Sequence, residues 1–191
     1  MTARLIYLVG QPGSGKSTLM SKLTAAFDRH KIAPNDAYPV AHDVLTERVT
    51  GEVVGAELGV RRELFSGTDA LPSSIIDKAA PWVRSQPYPL LLAEGARLAN
   101  RRFIDAALEG GYEVTLVLLD HNDAEDWRKV RSKAIGKTQN PSWVKGRLSA
   151  SRNLADALTG PAYQGKAVSV VRGHPDPILS VLKTGVPELR L

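Results

Sequence analysis

The stretch Gly10-Gln11-Pro12-Gly13-Ser14-Gly15-Lys16-Ser17-Thr18 constrains this chain more than any other. It follows the apolar run Leu5–Val9 and opens an amphipathic segment whose spacing predicts a helix from Leu19 to His30. Strand, glycine loop and helix form the setting in which G-x-x-x-x-G-K-[ST] holds phosphate. The glycines let the backbone curl until successive N–H groups face one concave anion site, with a helix N-terminus behind it. In that arrangement Lys16 reaches the β and γ phosphates and the Ser17 hydroxyl ligates Mg²⁺, while Gly10, Gly13, Ser14, Gly15 and Thr18 complete the wall. A glycine-rich turn with a solvated lysine is the plain alternative. The complete motif and its flanks favour a nucleoside triphosphate site.

With 191 residues, a single domain spanning 1–191 is expected, large enough for a substantial core. No apolar run approaches a membrane span and no signal-like segment starts the chain, so no membrane partner is expected. The absence of cysteine excludes disulfides, thiolate metal sites and cysteine nucleophiles, and it is compatible with a cytoplasmic location. A formal charge of +5 favours a polyanionic partner or anionic substrates, without choosing between them.

Beyond the first helix, Ala37–Ala41 reads as a second short strand ending at His42-Asp43, and 44–49, with Arg48 as a substrate-side candidate, reads as helical. Ligands collect at the carboxyl ends of strands in open α/β sheets, so Asp43 is expected to face the phosphate loop. Its position equally suits a helix N-cap. Residues 52–64 are charged and apolar by turns, and Ser66–Pro72 is a loop. There Thr68 and Asp69 either contact substrate or simply shape a turn. Helical spacing runs from Ser73 to Arg84, interrupted at Pro81. Leu90–Ala93 suits a buried parallel strand, closed by Glu94, an acid able to hold Mg²⁺ or bind substrate. Arg97 follows, then a helix ended by Gly110-Gly111. Val114–Leu119 is the next buried strand, closed by Asp120.

Two basic helices come next, separated by a turn at 136–141 that carries Lys137. The first, Asp123–Ala134, has Arg128, Arg131 and Lys133; the second, Ser142–Leu158, has Lys145, Arg147 and Arg152. They read as a lid over phosphates, at about 123–158, or as a solvated basic hairpin. Ala167–Val171 and Pro175–Leu182 supply a last strand and helix. The alternation predicts an α/β three-layer fold, with a five-stranded, mostly parallel sheet and helices on both faces.

From Arg4 to about Leu158, these residues resemble the P-loop kinases of nucleosides, nucleotides and polynucleotides, and polynucleotide kinases most of all. The resemblance implies ATP and Mg²⁺, with Asp43 as general base and Glu94 as the acid ending a strand. It implies a lid arginine at Arg131, a role that Arg128 or Lys133 also fits. No phosphatase-like domain follows, which departs from end-repair enzymes. Small size, basic charge and the segment Asn140–Arg147 are similar to bacteriophage kinases of 5-hydroxymethyluracil in DNA. That likeness implies a DNA acceptor, a base-borne hydroxyl reached by base flipping, and a host cytoplasm. A DNA 5′-hydroxyl end or a nucleoside monophosphate stands as the alternative acceptor, and a P-loop ATPase or switch as the rival class. Trp82, Trp127 and Trp143 either stack on bases or pack in the core. Oligomeric state stays open.

Overall fold

The computed structural model describes residues 2–62 and 67–189. Seven strands lie among the described residues: β1 (Arg4–Gly10), β2 (Phe27–Ile32), β3 (His42–Glu47), β4 (Val53–Leu58), β5 (Leu90–Glu94), β6 (Glu113–Leu119) and β7 (Val168–Gly173). Six α-helices accompany them: α1 (Lys16–Leu23), α2 (Ile76–Arg84), α3 (Arg101–Glu109), α4 (Ala124–Ile135), α5 (Pro141–Leu158) and α6 (Pro175–Gly185). All strands join one mixed sheet in the order β2-β3-β4-β5-β1-β6-β7. The run from β4 to β7 is parallel, whereas β3 is antiparallel to both β2 and β4.

Because side chains alternate along a strand, the continuous apolar run of β1 feeds two cores at once. Leu5, Tyr7 and Val9 pack with Leu91, Ala93, Leu116 and Leu118 under α2, α3 and α5. Ile6 and Leu8 pack on the opposite face with Leu90, Leu92 and Leu119 under α1 and α6. Helix α4 stands apart, with only Ala124 buried. No helix among the described residues is long and apolar enough to cross a membrane.

The parallel half matches expectation, since β5, β6 and β7 and the helices between them fall where the apolar runs and glycine stops placed them. The antiparallel half corrects it. Helix α1 ends at Leu23, where Thr24 closes the last turn by donating its backbone N–H and its hydroxyl to the Met20 carbonyl. The rest of the segment expected to be helical becomes β2, whose polar residues are held by pairing Phe27–Ile32 against β3. The strand expected at 37–41 lies instead at 42–47, as β3, so 44–47 is extended and not helical. Residues 53–58 form a strand that alternating charge alone did not announce. The sheet therefore has seven strands, not five. Leu64 and Ser66, which belong to the expected segment and loop, lie outside the described residues.

Where β4 meets β5, Gly55 leaves no room for a side chain, because a Cβ there would overlap the carbonyl oxygen of Leu90. Gly55→Ala is expected to push β4 off β5 and to cost about 1–3 kcal/mol, the usual scale of overpacking. Urea unfolding of the purified variant measures it; unchanged stability would show that the strands separate freely there.

Candidate active site

The loop after β1 adopts the curled form its glycines permit. Gly10, Gly13 and Gly15 have φ of 146°, 83° and 91°, values that a side chain strains to reach. Space demands glycine as well: a Cβ on Gly13 would lie 2.6 Å from the Arg128 Cα, and one on Gly10 2.6 Å from the Leu119 carbonyl oxygen. Gly15 occupies the N-cap of α1 without a side-chain cap, so the first amides of that helix stay available to an anion. Lys16 folds back across the loop, and its Nζ donates to the carbonyls of Gln11 (2.8 Å) and Gly10 (3.1 Å). Desolvation holds its ammonium below the usual lysine range, and the nearby carboxylates of Glu94 and Asp69 oppose that shift. The buried Ser14 Oγ has no hydrogen-bond partner.

The acidic wall is set by sheet register, which places Glu94 beside Leu8, two residues before the loop begins. Glu94 is 2 % exposed. Burial pushes its carboxyl up to about 7, against the opposing effects of the Ser17 hydroxyl and Lys16. Its Oε2 has no partner. Thr68 fixes the strand end by donating its hydroxyl to the Glu94 carbonyl (2.7 Å), while the Tyr7 hydroxyl lies 3.1 Å from the Thr68 oxygen. One residue on, Asp69 accepts from the Ala96 N–H and is thereby held across the strand end from Lys16.

Loop, acids and the α4–α5 hairpin enclose a cavity of about 1000 Å³. Of the predicted residues, Lys16, Ser17, Thr18, Asp69, Glu94, Arg97, Arg128, Arg131, Lys137 and Arg147 line it. Arg128 is braced by a two-pronged pair with Glu125 (2.6 and 2.9 Å), and the charge of Arg131 reaches Lys16. The Arg147 Nε is buried without a partner. Lys133, Arg152, Arg48 and Asp43 do not line the cavity. Arg152 grips Asp120 at 2.6 and 2.8 Å, and Arg48 donates to the Ala25 carbonyl beside Asp28. Asp43 was expected to follow a strand; it is the second residue of β3, and its carboxylate pairs with Arg29 (2.8 Å). Arg29 also binds Glu57 and the Thr24 hydroxyl, so that one guanidinium satisfies two buried acids. A second cleft of about 340 Å³ lies outside the loop between Trp127 and Pro175, floored by Gly15, Thr18 and Leu19.

The donors at Ser17 and Glu94 suit a magnesium ion. They offer hard oxygens, a hydroxyl and a carboxylate, at the phosphate end of the cavity, and one buried carboxylate oxygen is unpartnered.

The profile of the P-loop Nucleotide Kinase3 family matches residues 1–186. The chain belongs to that family. It is a P-loop kinase, a phosphotransferase that binds nucleotide. No curated protein matches the sequence significantly. A crystal structure of an unliganded sugar kinase from Janibacter sp. HTCC2649 superposes with a TM-score of 0.48 at 17% identity, covering 95% of this chain and 93% of that one. A likeness that remote carries no conclusion about substrate.

Several cavity residues of this kinase escaped the sequence. Ser73, Asn140 and Ser151 are brought to it only by the fold. Trp143, 47 % exposed on the cavity wall, and Trp127 stand outside the core, whereas Trp82 is buried in it. The sequence left all three open between stacking on bases and packing in the core.

Glu94 generates a pH test. Its folded pKa lies above the ordinary value of 4.5, so its contribution to stability is complete below about 4.5 and is lost as pH rises through about 7. Glu94→Gln removes that loss. Relative to wild type, the variant should gain up to about 3 kcal/mol between pH 4.5 and 8, from a shift worth about 1.4 kcal/mol per unit. Urea titrations of the ligand-free protein across that range check it, and a pH-independent difference would mean that Glu94 ionises normally.

Proposed function

We propose that the protein transfers the γ-phosphoryl group of ATP to a hydroxyl of a nucleotide unit carried in DNA, with Mg²⁺ held at Ser17 and Glu94. The observation that carries this reading is the shared cavity of about 1000 Å³: the phosphate loop and Glu94 line it together with Asp69, Arg97, Trp143 and Arg147, which supports an acceptor bound beside the triphosphate. A switch or simple ATPase needs no space for an acceptor.

In this mechanism the triphosphate replaces the Gly10 and Gln11 carbonyls as the partner of Lys16, and its base enters the cleft between Trp127 and Pro175. The metal, when bound, neutralises charge on the phosphate oxygens. Asp69 takes the proton of the acceptor hydroxyl as that oxygen bonds to the γ phosphorus, and the bridge to the β phosphate breaks to release ADP. Arg128 and Arg131 stabilise the charge that develops. Asp69 replaces Asp43 as the proton acceptor, because Asp69 lines the cavity whereas Asp43 is committed to Arg29.

A modified base bearing CH₂OH, such as 5-hydroxymethyluracil, is the acceptor that the resemblance to bacteriophage kinases suggests. The net charge of +5 and an exposed cavity tryptophan support a nucleic-acid strand. The family's description as nucleotide kinases favours a second reading, a free nucleoside monophosphate.

Lys16→Ala is expected to abolish transfer with little loss of stability. Asp69→Asn should slow transfer by about a hundredfold or more, the scale of a general base, and Asp43→Asn by less than about tenfold. Initial rates at saturating ATP, with melting temperature as control, decide. The reverse order would return the role to Asp43.

Incubation with γ-labelled ATP and a panel of hydroxymethyluracil DNA, unmodified DNA with 5′-hydroxyl ends, and nucleoside monophosphates tests the acceptor. Label should enter the modified DNA, with binding that weakens steeply as salt is added. Label in the monophosphates alone would establish the second reading, and free phosphate alone would refute kinase activity on nucleotides.

A further inference from the structure

His121, Asp123 and His174 meet behind the phosphate loop, lining neither the large cavity nor the cleft. His121 follows β6, His174 follows β7, and Asp123 precedes α4, so parallel pairing of β6 with β7 brings them together. One donor atom from each lies within 4.8 Å of the others.

We propose that these three side chains bind a transition-metal ion of the zinc class, at a site separate from the magnesium donors. The ring chemistry supports it first. His121 Nε2 faces the Ser14 carbonyl at 3.0 Å, and since a carbonyl only accepts, that nitrogen carries the proton. In the neutral ring the lone pair is therefore on Nδ1, which is buried and has no partner. A ligating histidine whose other N–H donates to a backbone carbonyl is the usual arrangement around zinc.

Asp123 supplies the second observation. It holds the N-cap position of α4, yet its side chain makes no capping bond. Its Oδ2 turns instead to His174 Nε2, 3.6 Å away. A tetrahedral ion with bonds of about 2.0–2.2 Å holds its donors roughly 3.3–3.6 Å apart, so this pair already has the required spacing. His121 completes the set, one of its ring nitrogens lying within 4.8 Å of the donor atoms of the other two.

The proton balance on His174 also closes. Its Nδ1 now accepts a long 3.3 Å bond from the Asp176 N–H, which leaves the ring proton on Nε2. Metal at Nε2 moves that proton to Nδ1, which gives up the bond from the Asp176 N–H and donates instead to the Asp176 carboxylate, 3.7 Å away. Two nitrogens and one carboxylate oxygen favour zinc or cobalt over magnesium or calcium. The bound ion would tie the ends of β6 and β7 to the root of α4.

Isothermal titration of the full chain, stripped with chelator and then given ZnCl₂ alone, tests this. One equivalent should bind, with affinity reduced more than tenfold in His121→Ala, His174→Ala and Asp123→Asn. Asp123 has a 62 % exposed side chain, so its variant tests the site even if a histidine variant fails to fold. Cobalt should give visible absorption that the same variants lose. Glu94→Gln, which disables the magnesium donors, should still take up zinc at the histidine site. Absence of micromolar zinc binding, or binding that survives in Asp123→Asn and the folded histidine variants, would show that the three form only a packed aromatic and charge cluster.

Discussion

Everything at the active site hangs on the hydrogen-bonded ladder that clamps β1 between β5 and β6. Leu8 stands beside Glu94, and Gly10 beside Leu119, so one register places the phosphate loop, the acidic wall and the start of the α4–α5 hairpin at the same carboxyl end of the strands. Side-chain direction has a period of two along a strand. A slip of one residue would turn Glu94 away from Lys16 and send Leu8 and Tyr7 to the wrong cores. Opposite faces of β1 are filled by different helices, so the cores that stabilise the sheet also enforce that register.

Two ionisable groups at the loop are held away from water. Lys16 is desolvated and rests on two carbonyls, while Glu94 is buried and leans towards its neutral form. Both groups are poorly hydrated, so a phosphate with its counter-ion meets charges that have little water left to lose. Glycines supply the left-handed backbone this shape needs, and the close approach of Gly13 to Arg128 ties the loop's shape to the position of α4.

The half of the fold legible in the sequence is the half in which each segment declares itself. Leu90–Ala93 and Val114–Leu119 are apolar without interruption because parallel strands are covered on both faces. Phe27–Ile32 carries Asp28, Arg29, His30 and Lys31, and only its ladder with β3 makes it a strand. Its amphipathic lead-in fitted a helix equally well. The site followed the same division. Lys16, Ser17 and Glu94, which line the cavity, were readable from a motif and a strand end, whereas Asp43, expected just past a strand at 37–41, lies inside β3. Asp69 was visible but ambiguous, since a turn residue and a cavity wall look alike in one dimension. Long-range contact alone distinguishes Trp143 on the cavity wall from Trp82 in the core.

The placement of β2 at the sheet margin bears on how the molecule behaves in a crowded solution. A marginal strand exposes unpaired amides and carbonyls that can template pairing with another chain. Here four of six residues, Asp28, Arg29, His30 and Lys31, are ionisable, and Asp28, His30 and Lys31 are largely unpacked. A second chain docking along this margin would have to strip water from those groups. Charge guards this side of the sheet against fibrous self-association.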